Sequence, residues 1–263
     1  MAASSGILDF DTKASSTIEA VYRTQDVVEQ RRAVLRALDL RPGERVLDIG
    51  AGPGFLAVAM AAAVGPRGSV DGVDVSESMI ALARRRSPEP HSAPLAFRLG
   101  DALALPFPDE CFDVVVSTQV YEYVEDIQAA LAEARRVLRP GGRLLVLDTD
   151  WDSVVWRSSD EHRMRRVMRV WDQHLVHRDL PRRLPELLRE AGLTLSGCQV
   201  VPLLNVGYRR ETYSAGLLEL IRDFVDGRVG VEKIDVAAWA SDLTALGDGY
   251  FFSSCRYLFL AQR

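Results

Sequence analysis

The sequence predicts an α/β fold in which a parallel sheet is doubly wound with helices on both faces, and three observations carry that prediction. Short apolar runs alternate with segments of helical periodicity through the first 150 residues. One run, Val114-Val115-Val116, has no polar interruption, as expected of a strand covered on both sides. Glycine-rich or proline-glycine breaks punctuate the junctions at Pro42-Gly43, Gly50 to Gly54 and Pro140-Gly141-Gly142.

Each element has its own signal. Residues 1–16 are rich in Ala and Ser and read as flexible. Val27, Val34, Leu35 and Leu38 fall at helical spacing over residues 26–40. Residues 45–49 are the first buried strand, and an alanine-rich helix over 56–64 follows the glycine turn. A second strand over 69–75 holds Asp74 at its end, and Ser76 is the N-cap of a helix reaching about Arg86. Strands three, four and five are expected over 95–101, 112–117 and 143–148. The stripe Ile127, Leu131, Ala134 and Leu138 marks the helix between the last two. Strand–helix alternation at this rhythm implies right-handed crossovers.

Beyond Asp150 the rhythm changes. Met164, Val167, Met168, Trp171 and Leu175 form a helical stripe, and residues 184–191 form another that Gly192 closes. A strand over 193–206 comes next, then two more helical patterns. An aromatic-rich strand over 250–261 ends the chain. With no repeat or linker, residues 1–263 read as one domain. Its parts are N-terminal cap helices (17–40), a ligand-binding core (41–150), helices and strand six (151–249), and the last strand (250–263).

Composition narrows the class. Apolar residues make up 48% and the formal net charge is −5, so long-range electrostatics disfavour nucleic acid and anionic membrane as partners. The Arg clusters lie among acids and read as solvated helix faces. Three widely spaced cysteines without a C-x-x-C pair argue against a disulfide framework or zinc site. Without a signal-peptide pattern or an apolar run near about 20 residues, the expectation is a soluble cytoplasmic protein without a metal.

Strand, glycine turn and helix bring backbone N–H groups and a helix N-terminus to a small ligand. Dinucleotide sites use G-x-G-x-x-G. Here Gly50, Gly52 and Gly54 are spaced two apart, and Phe55 stands where that fingerprint has its third glycine. With Asp48 two residues earlier, the turn resembles motif I of the class I S-adenosylmethionine-dependent methyltransferases. The likeness continues at Asp74, at Gly100-Asp101-Ala102-Leu103 and at Leu138-Arg139-Pro140-Gly141-Gly142-Arg143-Leu144. It is close over residues 42–150 and looks most like the small-molecule branch that includes the ubiquinone and menaquinone C-methyltransferases.

The resemblance implies a Rossmann-like seven-stranded sheet with an antiparallel last strand, helical lid additions, and S-adenosylmethionine as cofactor, with S-adenosylhomocysteine as product. It implies cofactor contacts at Asp48, Gly50, Ala51, Gly52, Gly54 and Phe55 on the turn. Others fall at Asp74 (ribose), Val75, Met79, Gly100, Asp101 (adenine amine), Ala102, Leu103 and Gln119. Tyr22 and Arg23 are placed to reach the cofactor's carboxylate from the N-terminal cap. Bland readings stand beside these: Asp48 as a loop anchor, Asp74 as an N-cap, Asp101 as a loop cap.

The acceptor is expected to be a small, largely apolar or aromatic molecule, with Trp151, Trp156, Tyr208 and Tyr213 as a candidate wall. If the acceptor keeps its proton, a base is needed. His174 is preferred, with Tyr121, Tyr123 and Asp150 as further candidates, although His174 sits on an apolar stripe that equally suits core packing. Two other readings remain at this stage: an NAD(P)-dependent oxidoreductase, and a non-catalytic binding protein with the same fold.

Overall fold

A computed structural model describes residues 12–228 and 233–263 of the chain. Among the described residues, seven strands form one sheet: β1 (Arg45–Ile49), β2 (Ser69–Asp74), β3 (Leu95–Leu99), β4 (Phe112–Thr118), β5 (Leu138–Trp156), β6 (Thr194–Val206) and β7 (Phe251–Gln262). Their spatial order is β3-β2-β1-β4-β5-β7-β6. Strands β1 to β5 pair in parallel, whereas β7 runs antiparallel to both β5 and β6. The chain leaves β1 toward one edge and returns at β4 toward the other. That reversal opens a crevice beyond the carboxyl ends of β1 and β4.

The helices are α1 (Thr12–Tyr22), α2 (Gln25–Leu38), α3 (Phe55–Val64), α4 (Glu77–Arg84), α5 (Ile127–Val137), α6 (Glu161–Trp171), α7 (Leu180–Glu190), α8 (Tyr213–Val225) and α9 (Lys233–Ala245). Alternate residues of the strands feed opposite faces. Leu47, Val115, Leu144 and Phe259 pack under α5 and α7. Val46, Val114, Leu145 and Leu258 pack under α2 and α3. A third cluster joins α6, α8 and α9 to Trp156, Leu203 and Phe252, so the added helices roof one end of the sheet.

Some expectations needed correction. The flexible stretch expected over 1–16 overlaps α1 from Thr12, and residues 1–11 lie outside the described residues. Strand five, expected over 143–148, spans 19 residues. Its ladder with β4 shifts between Phe112 and Val114, which lets Pro140-Gly141-Gly142 bulge out instead of ending the strand. Its ladder with β7 shifts again between Asp150 and Val155. Extra residues in one strand re-aim side chains, and this second irregularity contains Trp151.

Candidate active site

The glycine turn after β1 has Gly50, Gly52 and Gly54 at φ values of 68°, 51° and 79°, a region that a Cβ penalises. Space is as short as conformation at Gly50, where an added Cβ would stand 2.1 Å from the Val120 side chain. Asp74, at the end of β2, ties the turn down: its carboxylate accepts from Gly52 N–H at 2.8 Å and from Ser76 N–H at 2.9 Å. Ser76 caps α4 by accepting from Met79 N–H. Burial pushes the Asp74 carboxyl up, with these backbone donors opposing the shift.

A cleft beyond this turn is lined by Tyr22, Gly50, Gly52, Asp74, Val75, Met79, Gly100, Asp101, Ala102, Leu103 and Gln119, which the sequence reading had grouped. Asp101 caps its own loop by accepting from Leu103 N–H at 2.9 Å and remains exposed. Beside the cleft lies a second pocket, sharing Ile18, Tyr22, Gly50, Gln119 and Tyr123 with it. Asp48 and Ala51 reach this second pocket from the glycine-turn side. Asp48 is buried with Oδ2 unpartnered. Burial, and then the neighbouring Asp74, push its carboxyl up to about 8.

Gln119 stands at the junction of the two pockets. It is a non-glycine residue at φ 58°, held there by its N–H donating to Leu147 C=O at 2.7 Å. Such a conformation costs on the order of 1–3 kcal/mol, and the surrounding structure must hold it in place. Thr149 Oγ donates to Gln119 Oε1 at 2.7 Å, and Gln119 Nε2 is buried and unpartnered. The second pocket is aromatic, with Tyr22, Tyr123, Trp151, Trp171 and Tyr213 around it, and it also holds Gln30, Arg31, Glu122 and Arg256. Glu122 accepts from Trp151 Nε1 at 2.9 Å, leaving Oε1 unpartnered and buried. Burial pushes both Glu122 and its neighbour Asp148 up.

Several sequence candidates lie elsewhere. Arg23 pairs with Glu19 at 2.9 Å on the surface, 5.7 Å from the Phe55 ring centre, and lines neither pocket. Arg31, one helix further on, takes the inward position and donates to Tyr22 C=O. Phe55 and Gly54 are not on the cleft wall. Phe55 stacks with Tyr22 and carries the Arg86 guanidinium 3.4 Å from its ring centre, and Gly54 starts α3. Tyr121 is fully buried in the core under α5, its hydroxyl unpartnered and its pKa raised by burial. Asp150 forms a bidentate pair with Arg182 at 2.9 Å to each oxygen, which employs it as a brace.

His174 is buried one layer behind the second pocket. Its ring lies 3.7 Å from that of Trp171 and 5.4 Å from that of Trp151. Nδ1 bonds Trp171 C=O, and burial pushes the ring down to about 4, so it is neutral near pH 7. Of the expected aromatic wall, Trp151 and Tyr213 reach the pocket. Trp156 packs on Trp239 and Phe252 in the core, and Tyr208 packs on Tyr250. Sequence reasoning passed over Glu122 and Arg256. For Arg256 the available signal was a single charged residue within the last strand; Glu122 lies on a 3-10 turn, where no strand alternation marks it. Among the described residues, no group of three or more His, Cys, Asp or Glu could hold a metal, and no helix is long and apolar enough to cross a membrane.

Comparison with known proteins bears on this geometry. The family model described as methyltransferase domain matches residues 47–146, which run from β1 into β5. The chain is 33% identical over 196 residues to a demethylmenaquinone methyltransferase of Symbiobacterium thermophilum, covering 65% of this chain and 78% of that one. It is 35% identical over 249 residues to an uncharacterized 37.1 kDa protein in transposon TN4556 of Streptomyces fradiae, covering 94% and 70%. The crystal structure of YcgJ from Bacillus subtilis shares the fold, with a TM-score of 0.62 at 22% identity over 89% of this chain and 98% of that one.

The residues present suit the family's cofactor. A glycine turn with no room for a side chain at Gly50 or Gly54, acids at the end of β2 and just beyond β3, and the unpartnered buried Asp48 Oδ2 and Gln119 Nε2 offer a polar cradle. The family match decides against the dinucleotide alternative. The chain belongs to the class I S-adenosylmethionine-dependent methyltransferases, with S-adenosylmethionine as its cofactor.

Proposed function

We propose that the chain, working as one domain, methylates a small, largely apolar aromatic molecule that binds in the second pocket. The observation that carries this reading is the meeting of a polar cleft and an aromatic pocket at Gln119, Tyr123, Gly50 and Tyr22. Bound S-adenosylmethionine supplies an electrophilic methyl group on a sulfonium. The chain's own residues then have to hold the cofactor, align the acceptor and keep water out.

In this reading Asp74 takes the ribose hydroxyls, and Asp101 with Ala102 and Leu103 takes the adenine. Asp48, the Gly50–Gly52 backbone and Tyr22 surround the amino-acid end, where Arg31 replaces Arg23 as partner of the carboxylate. Gln119 sits between donor and acceptor. The relative named for demethylmenaquinone methylation supports a quinol-like acceptor. Calorimetric titration with S-adenosylhomocysteine, followed by transfer of labelled methyl to demethylated quinols, tests the reading. Binding with label in the quinol is expected; binding of NAD in place of S-adenosylhomocysteine would overturn it.

A further inference from the structure

The second pocket contains a buried cation in no direct ion pair and a buried acid with an open oxygen. Arg256 on β7 is 4% exposed. Its Nε donates to Thr149 Oγ at 3.3 Å, a terminal nitrogen donates to Gln30 Oε1, and the Tyr213 ring centre lies 4.6 Å from its guanidinium carbon. No ion pair among the described residues includes it. A buried charge is strongly disfavoured unless partnered, and the acids that act on Arg256 do so through space, without direct contact. Burial pushes Glu122 up, opposed by the Trp151 N–H and by Arg256, so as a carboxylate it balances Arg256 until a guest gives it a proton. Glu122 Oε1 is buried without a hydrogen bond of good geometry, and the Tyr123 hydroxyl and Thr149 N–H lie close to the carboxylate. A pocket with this charge pattern and aromatic walls suits a planar guest that arrives neutral and becomes anionic.

We propose that Glu122 and Arg256 act together as a hydroxyl-ionising pair for an acceptor that carries a phenolic or enolic O–H. This rests on the methyltransferase reading above. The acceptor's O–H bond breaks, its proton goes to Oε1 of the Glu122 carboxylate, which becomes neutral, and the electron pair stays on the acceptor oxygen, whose charge Arg256 then balances in place of Glu122. That oxygen, or a ring carbon conjugated with it, is the nucleophile. Trp151 Nε1 fixes the other Glu122 oxygen. Thr149 links Arg256 to Gln119 by accepting from the guanidinium and donating to the amide oxygen. The groups facing Glu122 are Trp151 and Asp148 from β5, Tyr123 from its own turn, Arg256 from β7 and Tyr213 from α8.

The test uses the full chain saturated with S-adenosylhomocysteine and p-nitrophenol as probe. The wild type is expected to favour the bound phenolate roughly ten- to a hundredfold, read as a downward shift of the probe's visible titration. Arg256→Met should abolish that preference and Arg256→Lys should restore part of it. In Glu122→Gln the bound phenolate should persist, but its proton should appear in the buffer, read by calorimetry in buffers of different ionisation heat. Methyl transfer to a true acceptor should fall roughly 100- to 10,000-fold in that variant. Binding of the neutral phenol, an Arg256→Met variant with unchanged preference, or equal proton release by wild type and Glu122→Gln would overturn the pair. Weaker S-adenosylhomocysteine binding by Arg256→Met with unchanged probe binding would assign Arg256 to the donor and also overturn it. Wild type that fails to bind S-adenosylhomocysteine would remove the donor reading, and the pair's role with it.

Discussion

Replacing Asp48 with Asn examines the cofactor cradle at its most unusual group. The Asp48 carboxyl is 1% exposed, and its pKa is raised from 3.8 to about 8 by burial and then by Asp74. Folding raises this pKa, so Asp48 costs nothing below the unfolded value, and its cost grows as pH rises toward the folded value. At about 1.4 kcal/mol per unit, the full cost above pH 8 is on the order of 5 kcal/mol. Asn carries no charge and escapes it. Urea unfolding of the free enzyme should show Asp48→Asn gaining on wild type by about 2–3 kcal/mol between pH 5 and pH 7, with no further gain above about pH 8. A cofactor ammonium beside Asp48 would reverse the shift. Binding of S-adenosylhomocysteine at pH 7 should therefore release up to about one proton from wild type and none from the variant. Stability curves that stay parallel across this pH range would refute the assignment of the strain to Asp48.

Two further variants separate binding from packing. Asp74→Ala should weaken S-adenosylhomocysteine binding by about 1–3 kcal/mol in calorimetry, because ribose hydroxyls lose their acceptor and the Gly52 N–H is orphaned; unchanged affinity would remove Asp74 from the site. His174→Phe should keep cofactor affinity and the pH profile near neutrality, since the wild-type ring is already neutral there. Because folding lowers the His174 pKa from 6.5 to about 4, the stability it contributes as a neutral ring is lost as pH falls through that window. The variant should accordingly resist unfolding at pH 4 better than wild type by about 2–3 kcal/mol. A rate loss confined to turnover, with a shifted pH profile, would return His174 to the role of base.

The cofactor half of the molecule was legible in the sequence because its signals are local. Asp48, the three glycines and Phe55 fall within one short stretch of chain, Asp74 closes a strand whose apolar run is visible, and Asp101 follows another. The other half depends on positions that no local pattern fixes. Trp151 reaches the pocket because β5 departs from its register with β7 between Asp150 and Val155, a change that apolar spacing does not encode. Tyr121, Glu122 and Tyr123 share one 3-10 turn, which sends Tyr121 into the core and Glu122 toward the pocket. Strand five exceeds the expected 143–148 at both ends: its ladder with β4 reaches back past Pro140-Gly141-Gly142 to Leu138, and its ladder with β7 resumes at Val155 and Trp156. His174 illustrates the converse: a near-neutral side chain on an apolar stripe is packed, with its Nδ1 on Trp171 C=O.

The most direct test of the whole account is single-turnover transfer from methyl-labelled S-adenosylmethionine to a demethylated quinol, comparing wild type with Glu122→Gln at matched cofactor saturation. The account predicts label in the quinol with wild type, and a rate roughly 100- to 10,000-fold lower in the variant with cofactor affinity unchanged. Saturated wild-type enzyme that leaves every hydroxyl-bearing aromatic acceptor unlabelled would contradict it.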